Sequence, residues 1–229
     1  MLIDANGDFV SQRGEPRLTQ FVAVPVEDGI HLHAPGADSL HVAYPQVDAA
    51  SLSADVWETV SPVCHAAAAD EWLSGWLGYP VRLVYQQADA VRPVKPARRT
   101  KDSDRVSLAD GYPLLLTNEA SLAAVNSELR APADMLRFRP NVVVRGMDAF
   151  AELNLSRVVI GDLAFRAVKP CVRCSVVTLD PLTGDRGKEP LRTMARLPQT
   201  RTDDGVVFGM NLVPDGEGTI HVGDRVAVG

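Results

Sequence analysis

Cysteine is scarce in this chain: Cys64, Cys171 and Cys174 are the only three among 229 residues. Three thiols cannot build the disulfide framework of a small secreted domain, so a reducing compartment, and with it a cytoplasmic location, is expected. Long apolar runs are missing as well. No stretch approaches the roughly 20 residues needed to span a bilayer, and the N-terminus lacks a basic region followed by a hydrophobic core. There is no excess of positive charge: 29 acidic against 23 basic side chains give a formal net charge of -6, which sets a low expectation for nucleic-acid binding. No internal repeat or low-complexity tract is found. GDLAF, GDRGK and GEGT are turn sequences, since no strand, Gly-loop and helix follow one another around them as a nucleotide site requires.

What is present is 46% hydrophobic residues, enough for a real core in one large or two small domains. Short apolar runs separated by Gly, Pro, Asp and Asn dominate. MLID and Phe9 to Gln12 read as two strands about the turn Ala5-Asn6-Gly7-Asp8, so the chain is expected to begin inside a sheet. FVAVPV, IHLHA, SLHVAY, DVWETV and VRLVY continue the β pattern. Between them CHAAAADEWLSGWL places Cys64, Ala68, Trp72 and Trp76 at i, i+4 intervals and predicts an amphipathic helix ended by Gly78 and Pro80. From Arg92 to Arg105 periodicity disappears and Arg92, Lys95, Arg98, Arg99 and Lys101 collect among prolines, which predicts a solvated linker.

After YPLLLT, Asn118 precedes a short helix on Leu122, Val125 and Leu129 and is placed to cap it. NVVV, SRVVIG, LAFRAV, CSVVTL, GVVFGMNL, GTIHVGD and RVAV then predict strands, with only LRTMARL helical. The fold class is therefore β-rich α+β, a barrel preceded by a smaller barrel-like subdomain with an amphipathic helix. The expected division is 1–91, a linker at 92–105, and 106–229.

Cys171 and Cys174 form a C-x-x-C pair in KPCVRCSVVTLDPLTGD. That spacing serves a redox disulfide, half a zinc site or a single thiolate ligand for a soft metal; it also suits two small hydrophobes in a strand. No second C-x-x-C or H-x-H lies near, and His31, His33, His41, His65 and His221 show no matching metal spacing. A redox pair would want its first cysteine at a helix N-terminus, whereas SVVTL reads as a strand.

The wider string, RFRPNVVVRG, IGDLAF, PCVRCSVVTLDPLTGD, KEPLRTMAR, FGMNLV and GTIHVGDRVAV, resembles the MOSC domain, and within that superfamily the amidoxime-reducing branch. FVSQRGEPRL, CHAAAADEWLSGWL and YPLLLTNEASLAAVNSEL resemble the N-terminal β-barrel portion and junction of the same branch, so the likeness covers nearly the whole chain. The resemblance implies that Cys174 coordinates molybdenum in a molybdenum cofactor (Mo-molybdopterin) and makes it the catalytic ligand, with Cys171 beside it. It implies cofactor contacts from Arg13, Arg139 and Asn141, from Arg173 and the backbone at Val172, and from Asn118 and Asn211; the cofactor's phosphate and pterin edge call for planar cations and amides. The superfamily also carries a pyridoxal phosphate association. A Lys-Ser pair that helps hold the cofactor in the family lies upstream of the residues matched here, before Met1.

By that resemblance the expected activity is reduction of N-hydroxylated compounds, namely amidoximes, hydroxylamines or N-hydroxylated bases. Electrons would come from a separate protein of ferredoxin, flavin or cytochrome type, since no cysteine-rich ferredoxin extension is present. The alternative is a carrier of the cofactor, or of sulfur on Cys174, without turnover of its own. Asp180 and Glu152, acidic residues near the matched motifs, are the candidates for a general acid, with a turn or surface role the simpler expectation for both.

Overall fold

Short apolar runs broken by turn residues produce short strands along most of the chain, and the computed structural model describes residues 1–45, 51–56, 60–86, 90–98 and 100–229. The chain divides into two units, the first made of 1–93, 107–110 and 180–185, the second of 94–106, 111–179 and 186–229. Strands far outnumber helices, so the β-rich class expected from the sequence is what is found. Among the described residues no helix is long and apolar enough to cross a membrane.

In the first unit the strands are β1 (Leu2–Ile3), β2 (Val22–Val26), β3 (Gly29–His33), β4 (Leu40–Ala43), β5 (Ser51–Asp55), β6 (Val60–His65) and β7 (Arg82–Tyr85). They form an antiparallel sheet in the order β1-β7-β6-β5 and a three-stranded one in the order β2-β3-β4. Helix α1 (Asp70–Leu77) ends on Gly78, whose left-handed backbone (φ 75°) lets its N–H reach the Ser74 carbonyl at 2.8 Å. Its Leu73 and Leu77 bury against Leu32, Val42 and Leu83. The helix starts later than its periodicity suggests, because Cys64 and His65 finish β6 in register with Tyr85 and Val84 and the ladder claims them. The expected DVWETV strand falls partly on 57–59, outside the described residues, and its two ends belong to β5 and β6.

The second unit holds β8 (Leu114–Asn118), α2 (Glu119–Ser127), β9 (Val142–Val144), β10 (Arg157–Ile160), β11 (Leu163–Val172), α3 (Leu191–Met194), β12 (Arg201–Thr202), β13 (Gly205–Pro214) and β14 (Val226–Val228). One sheet runs β14-β10-β11-β13-β8-β9, with β12 paired to β13. Gly209 is required in β13: at φ 79° a Cβ there would sit 2.6 Å from the Leu116 carbonyl of β8.

Two expected strands are corrected here. CSVVTL is a 3-10 turn, Ser175–Thr178. The β11–β13 register slips between Ala167 and Lys169 and again between Pro170 and Val172, and its last pair is Val172 with Val207, so the ladder has ended before Cys174. GTIHVGD is not a strand either. Asp224 accepts the His221 N–H at 2.7 Å, and this local bond holds a turn in place of a ladder.

The basic stretch 92–105, expected to be solvated, instead buries Arg92, Val94 and Asp104. Arg92 gives its Nη1 to the carbonyls of Ser107 and Ala109, each at 2.7 Å. The Asp104 carboxylate accepts the Thr100 and Lys101 N–H groups at 2.9 and 3.0 Å and is paired with Arg166, which also meets Asp215 at 2.8 Å. Burial raises the Asp104 pKa, but the bonds from Arg166, Lys101 and Thr100 outweigh it and hold it at about 2. A carboxylate depressed from its ordinary 3.8 contributes stability that is complete above the unfolded value and lost as pH falls toward 2. Asp104→Asn should therefore cost about 2 kcal/mol near neutral pH, and its deficit against wild type in urea melts should shrink between pH 4 and 2. An equal deficit at both ends of that range would remove the charge from the explanation.

Candidate functional site

Two segments of the second unit carry the residues. The first is a 3-10 turn, Met135–Phe138, opened by Asp134, whose carboxylate accepts the Leu136 N–H at 2.7 Å. It ends on Arg139 in the left-handed region (φ 54°, ψ 50°), with its N–H on the Leu136 carbonyl at 3.0 Å. A non-glycine residue held there stores roughly 1 kcal/mol of backbone strain. The second segment begins where β11 gives out. The Arg173 N–H donates to the Val206 carbonyl at 2.8 Å, and Cys174 follows as the N-cap residue of the Ser175–Thr178 turn. Its thiol makes no capping bond, so the side chain is not spent on the turn it opens.

One hydrophobic floor holds both segments. Phe138 and Val177 are fully buried in a cluster with Phe208 of β13 and Met194 of α3, and Phe138 stacks on Phe208 with ring centroids 4.0 Å apart. The pair adds about 0.5–1.5 kcal/mol beyond its burial. Arg139 follows Phe138 in the chain and Cys174 precedes Val177 by three residues, so core packing sets where both functional side chains leave the surface.

Arg173 joins the segments directly. Its Nη2 donates to the Phe138 carbonyl at 2.8 Å and its Nη1 to Cys171 Sγ at 3.1 Å, while its Nε is buried without an acceptor. The Arg139 pKa is pushed down by burial first and by the Arg173 guanidinium second. Water reaches Arg139, yet enough protein surrounds the head group to desolvate it in part. Two guanidiniums that repel one another, one with an orphaned buried N–H, carry a cost that an anion placed between them would relieve. Arg137 donates to the Leu179 carbonyl, and Arg186 Nη1 reaches Ser175 Oγ at 3.4 Å, so cations brace both ends of the Cys174 turn. Sequence reasoning missed these two. Arg137 stands two residues before Arg139 in RFRPN, and that repeated arginine around a buried Phe was the available signal; Arg186 lies in GDRGK, which reads only as a turn.

Of the other expected residues, Val172 ends β11, exposed and in register with Val207, on the approach to Cys174. Asn141 accepts the Leu115 N–H on its Oδ1 at 2.9 Å and returns its own N–H to the Leu115 carbonyl at 2.9 Å. Asn211 pairs across the sheet with Leu115 and Lys169 and donates its Nδ2 to the Lys169 carbonyl at 3.0 Å. The two asparagines therefore lie in one transverse row over β9, β8 and β13, each with part of its amide still uncommitted.

Asn118 is corrected: its side chain is wholly buried, caps α2 through the Ala120 N–H at 3.1 Å and donates to the Asp148 carbonyl at 2.8 Å. Nothing of it is left to touch a ligand. Glu152, expected on the surface or in a turn, is also wholly buried, accepting from Ser121 Oγ at 2.8 Å and Asn118 Nδ2 at 3.3 Å. Burial raises its pKa, the two bonds opposing, and a carboxyl sealed in the core cannot exchange protons with a substrate. Asp180 is a turn residue, accepting the Leu182 and Thr183 N–H groups at 2.9 and 3.1 Å. Arg13 belongs to the first unit, 3.7 Å from Asp110 of that unit in an exposed ion pair of the kind worth about 0–1 kcal/mol. Cys171 and Cys174 are both unbridged, and among the described residues no three His, Cys, Asp or Glu side chains are grouped to hold a metal ion. A metal at Cys174 would thus draw its remaining ligands from outside the protein.

Comparison with known proteins points the same way. Residues 103–227 match the MOSC domain family and residues 1–80 the MOSC N-terminal beta barrel domain family. The chain is 32% identical over 240 residues to the mitochondrial amidoxime-reducing component 1 of Homo sapiens, covering 99% of this chain and 71% of that one. The Mus musculus protein of the same name is 35% identical over 242 residues, with 99% and 70% covered. The molybdenum cofactor sulfurase of Danio rerio is 28% identical over 229 residues, 90% of this chain but 27% of that much longer protein. Neither the site nor these matches speak for the pyridoxal phosphate association.

Proposed function

The chain belongs to the MOSC family, and from that premise we propose that it binds a molybdenum cofactor on Cys174 and reduces N-hydroxylated compounds, with electrons from a separate donor protein. The observation that carries the proposal is two neighbouring guanidiniums, Arg139 and Arg173, on the segments that lead to Cys174, whose thiol makes no capping bond, with the buried Nε of Arg173 lacking an acceptor. That donor set fits an anionic group bearing a soft metal: a thiolate for the metal, and directional cations for a phosphate or a dithiolene-bearing pterin.

When bound, the cofactor supplies two-electron redox chemistry and a centre able to accept an oxygen atom. The rest falls to the chain. Cys174 gives the single protein ligand, its direction set by the turn that Val177 anchors in the core. Arg139 and Arg173 would neutralise the cofactor's negative charge, and the unused amide groups of Asn141 and Asn211 would be available to its hydrogen-bonding groups. Val172 adds an exposed apolar wall next to the ligand. The net change is reduction of an N–OH group to N–H with release of water, which consumes two electrons and two protons. Glu152, sealed in the core, and Asp180, occupied in its turn, are not placed to supply those protons.

The test is metal and pterin content of protein made alongside functional cofactor synthesis, followed by turnover of an amidoxime with a chemical reductant. About one molybdenum and one pterin per chain, with amidine formed, is the expected result. Protein free of both molybdenum and pterin would sink the reading, whatever zinc it carries. Bound cofactor without turnover would favour a carrier, the role to which the match with the sulfurase lends weight.

A further inference from the structure

Three of the five histidines of this chain gather on one sheet face in the first unit. In the β2-β3-β4 sheet Leu32 and Val42 point into the core, so the alternate residues His31, His33 and His41 share the outer face. His31 and His41 stand directly opposite one another across the ladder, with ring centroids 5.0 Å apart, and His33 lies two residues along the same strand, 6.4 Å from His31. His41 Nε2 is 3.1 Å from Asp28 Oδ1.

We propose that this face binds a late first-row divalent cation of the zinc class, chelated by His31 and His41, with His33 as the third ligand. Imidazole is the commonest protein ligand for such ions, and two rings on a tetrahedral zinc with Zn–N near 2.0–2.1 Å have centroids about 5 Å apart. The His31–His41 separation already meets that value. No three donors among the described residues yet share a point, so the exposed His33 ring must rotate toward the pair. Asp28 takes one ring nitrogen of His41 and leaves the other for the metal, an arrangement in which a carboxylate orients and strengthens a ligating histidine. Histidines in every second position of one strand and opposite them on the next explain why sequence spacing alone did not reveal the site: its closeness depends on the β3–β4 register.

The experiment is a titration of the full chain with zinc chloride, followed by NMR through the carbon-bound ring protons of its five histidines, which separates this face from the thiols. His31 and His41 signals should move first and saturate at one equivalent, while His65, tied to Asp70 at 2.7 Å, and His221 stay put. His41→Ala should weaken this binding at least tenfold, and Asp28→Asn by about tenfold. His41 and Asp28 are exposed, so both variants fold, and they decide the matter if His31→Ala does not. Equal movement of all five histidines, or zinc affinity unchanged in His41→Ala, overturns the proposal.

Discussion

Replacing Cys174 by serine is expected to remove molybdenum and reduce amidoxime turnover to background, whereas Cys171→Ser keeps most of both. The asymmetry follows from what each sulfur does. Cys174 caps a turn without bonding it, and its thiolate is the soft anionic donor that a neutral hydroxyl cannot replace. Cys171 accepts a hydrogen bond from Arg173 at 3.1 Å, and a serine oxygen can accept the same bond. Cys171→Val, which removes the acceptor, should therefore cost more than Cys171→Ser while still leaving metal bound. Molybdenum content and turnover are measured on each variant. Equal loss in Cys171→Ser and Cys174→Ser would point to a disulfide or a shared metal site.

Arg139→Ala should lower pterin retention after gel filtration by an order of magnitude or more without lowering the melting temperature of the cofactor-free protein. Charge-assisted bonds to a phosphate are worth roughly 1.5–3 kcal/mol each, and every 1.4 kcal/mol is about tenfold in affinity. The stability side rests on a sign. A cation whose pKa falls on folding, here through burial and then through Arg173, is less stable charged in the fold than in water. Losing it removes that penalty along with whatever contacts the side chain makes, so the cofactor-free fold stays nearly as stable. The backbone contributes separately: at φ 54° glycine carries no Cβ penalty, so Arg139→Gly should melt slightly higher than Arg139→Ala. Arg139→Lys recovers only part of the retention, because a point charge does not reproduce a planar fork. Full retention combined with a lower melting temperature would make Arg139 a structural residue.

Much of the fold was legible because local physics decides it. Short apolar runs bounded by turn residues marked β3, β10, β11 and β13, and the Asn118 cap followed from a short polar side chain before an apolar helical stripe. Where the reading failed, a nonlocal bond had won. Cys64 fits a helical stripe but is held in β6 by its pairing with Tyr85, and CSVVTL has strand composition but follows a slipped register after a proline. Asn118 shows the same division within one residue. Its capping role was readable, while its burial against Asp148 and Glu152, which removes it from the site, depends on residues 30 and 34 positions away.

By itself the sequence determined a β-rich chain and a cysteine pair set in a string of MOSC type that also carries Arg139, Asn141 and Arg173, since composition, apolar runs and motif order are properties of neighbours along the chain. Only the tertiary structure decided which of these side chains remain available. Packing of Phe138, Phe208 and Val177 brings Arg139 and Cys174 onto one floor, hydrogen bonds spend Asn118 inside it, and the β3–β4 register sets His31 against His41. Each of these outcomes is a contact between residues distant in sequence, whose energy exists only once the chain has folded.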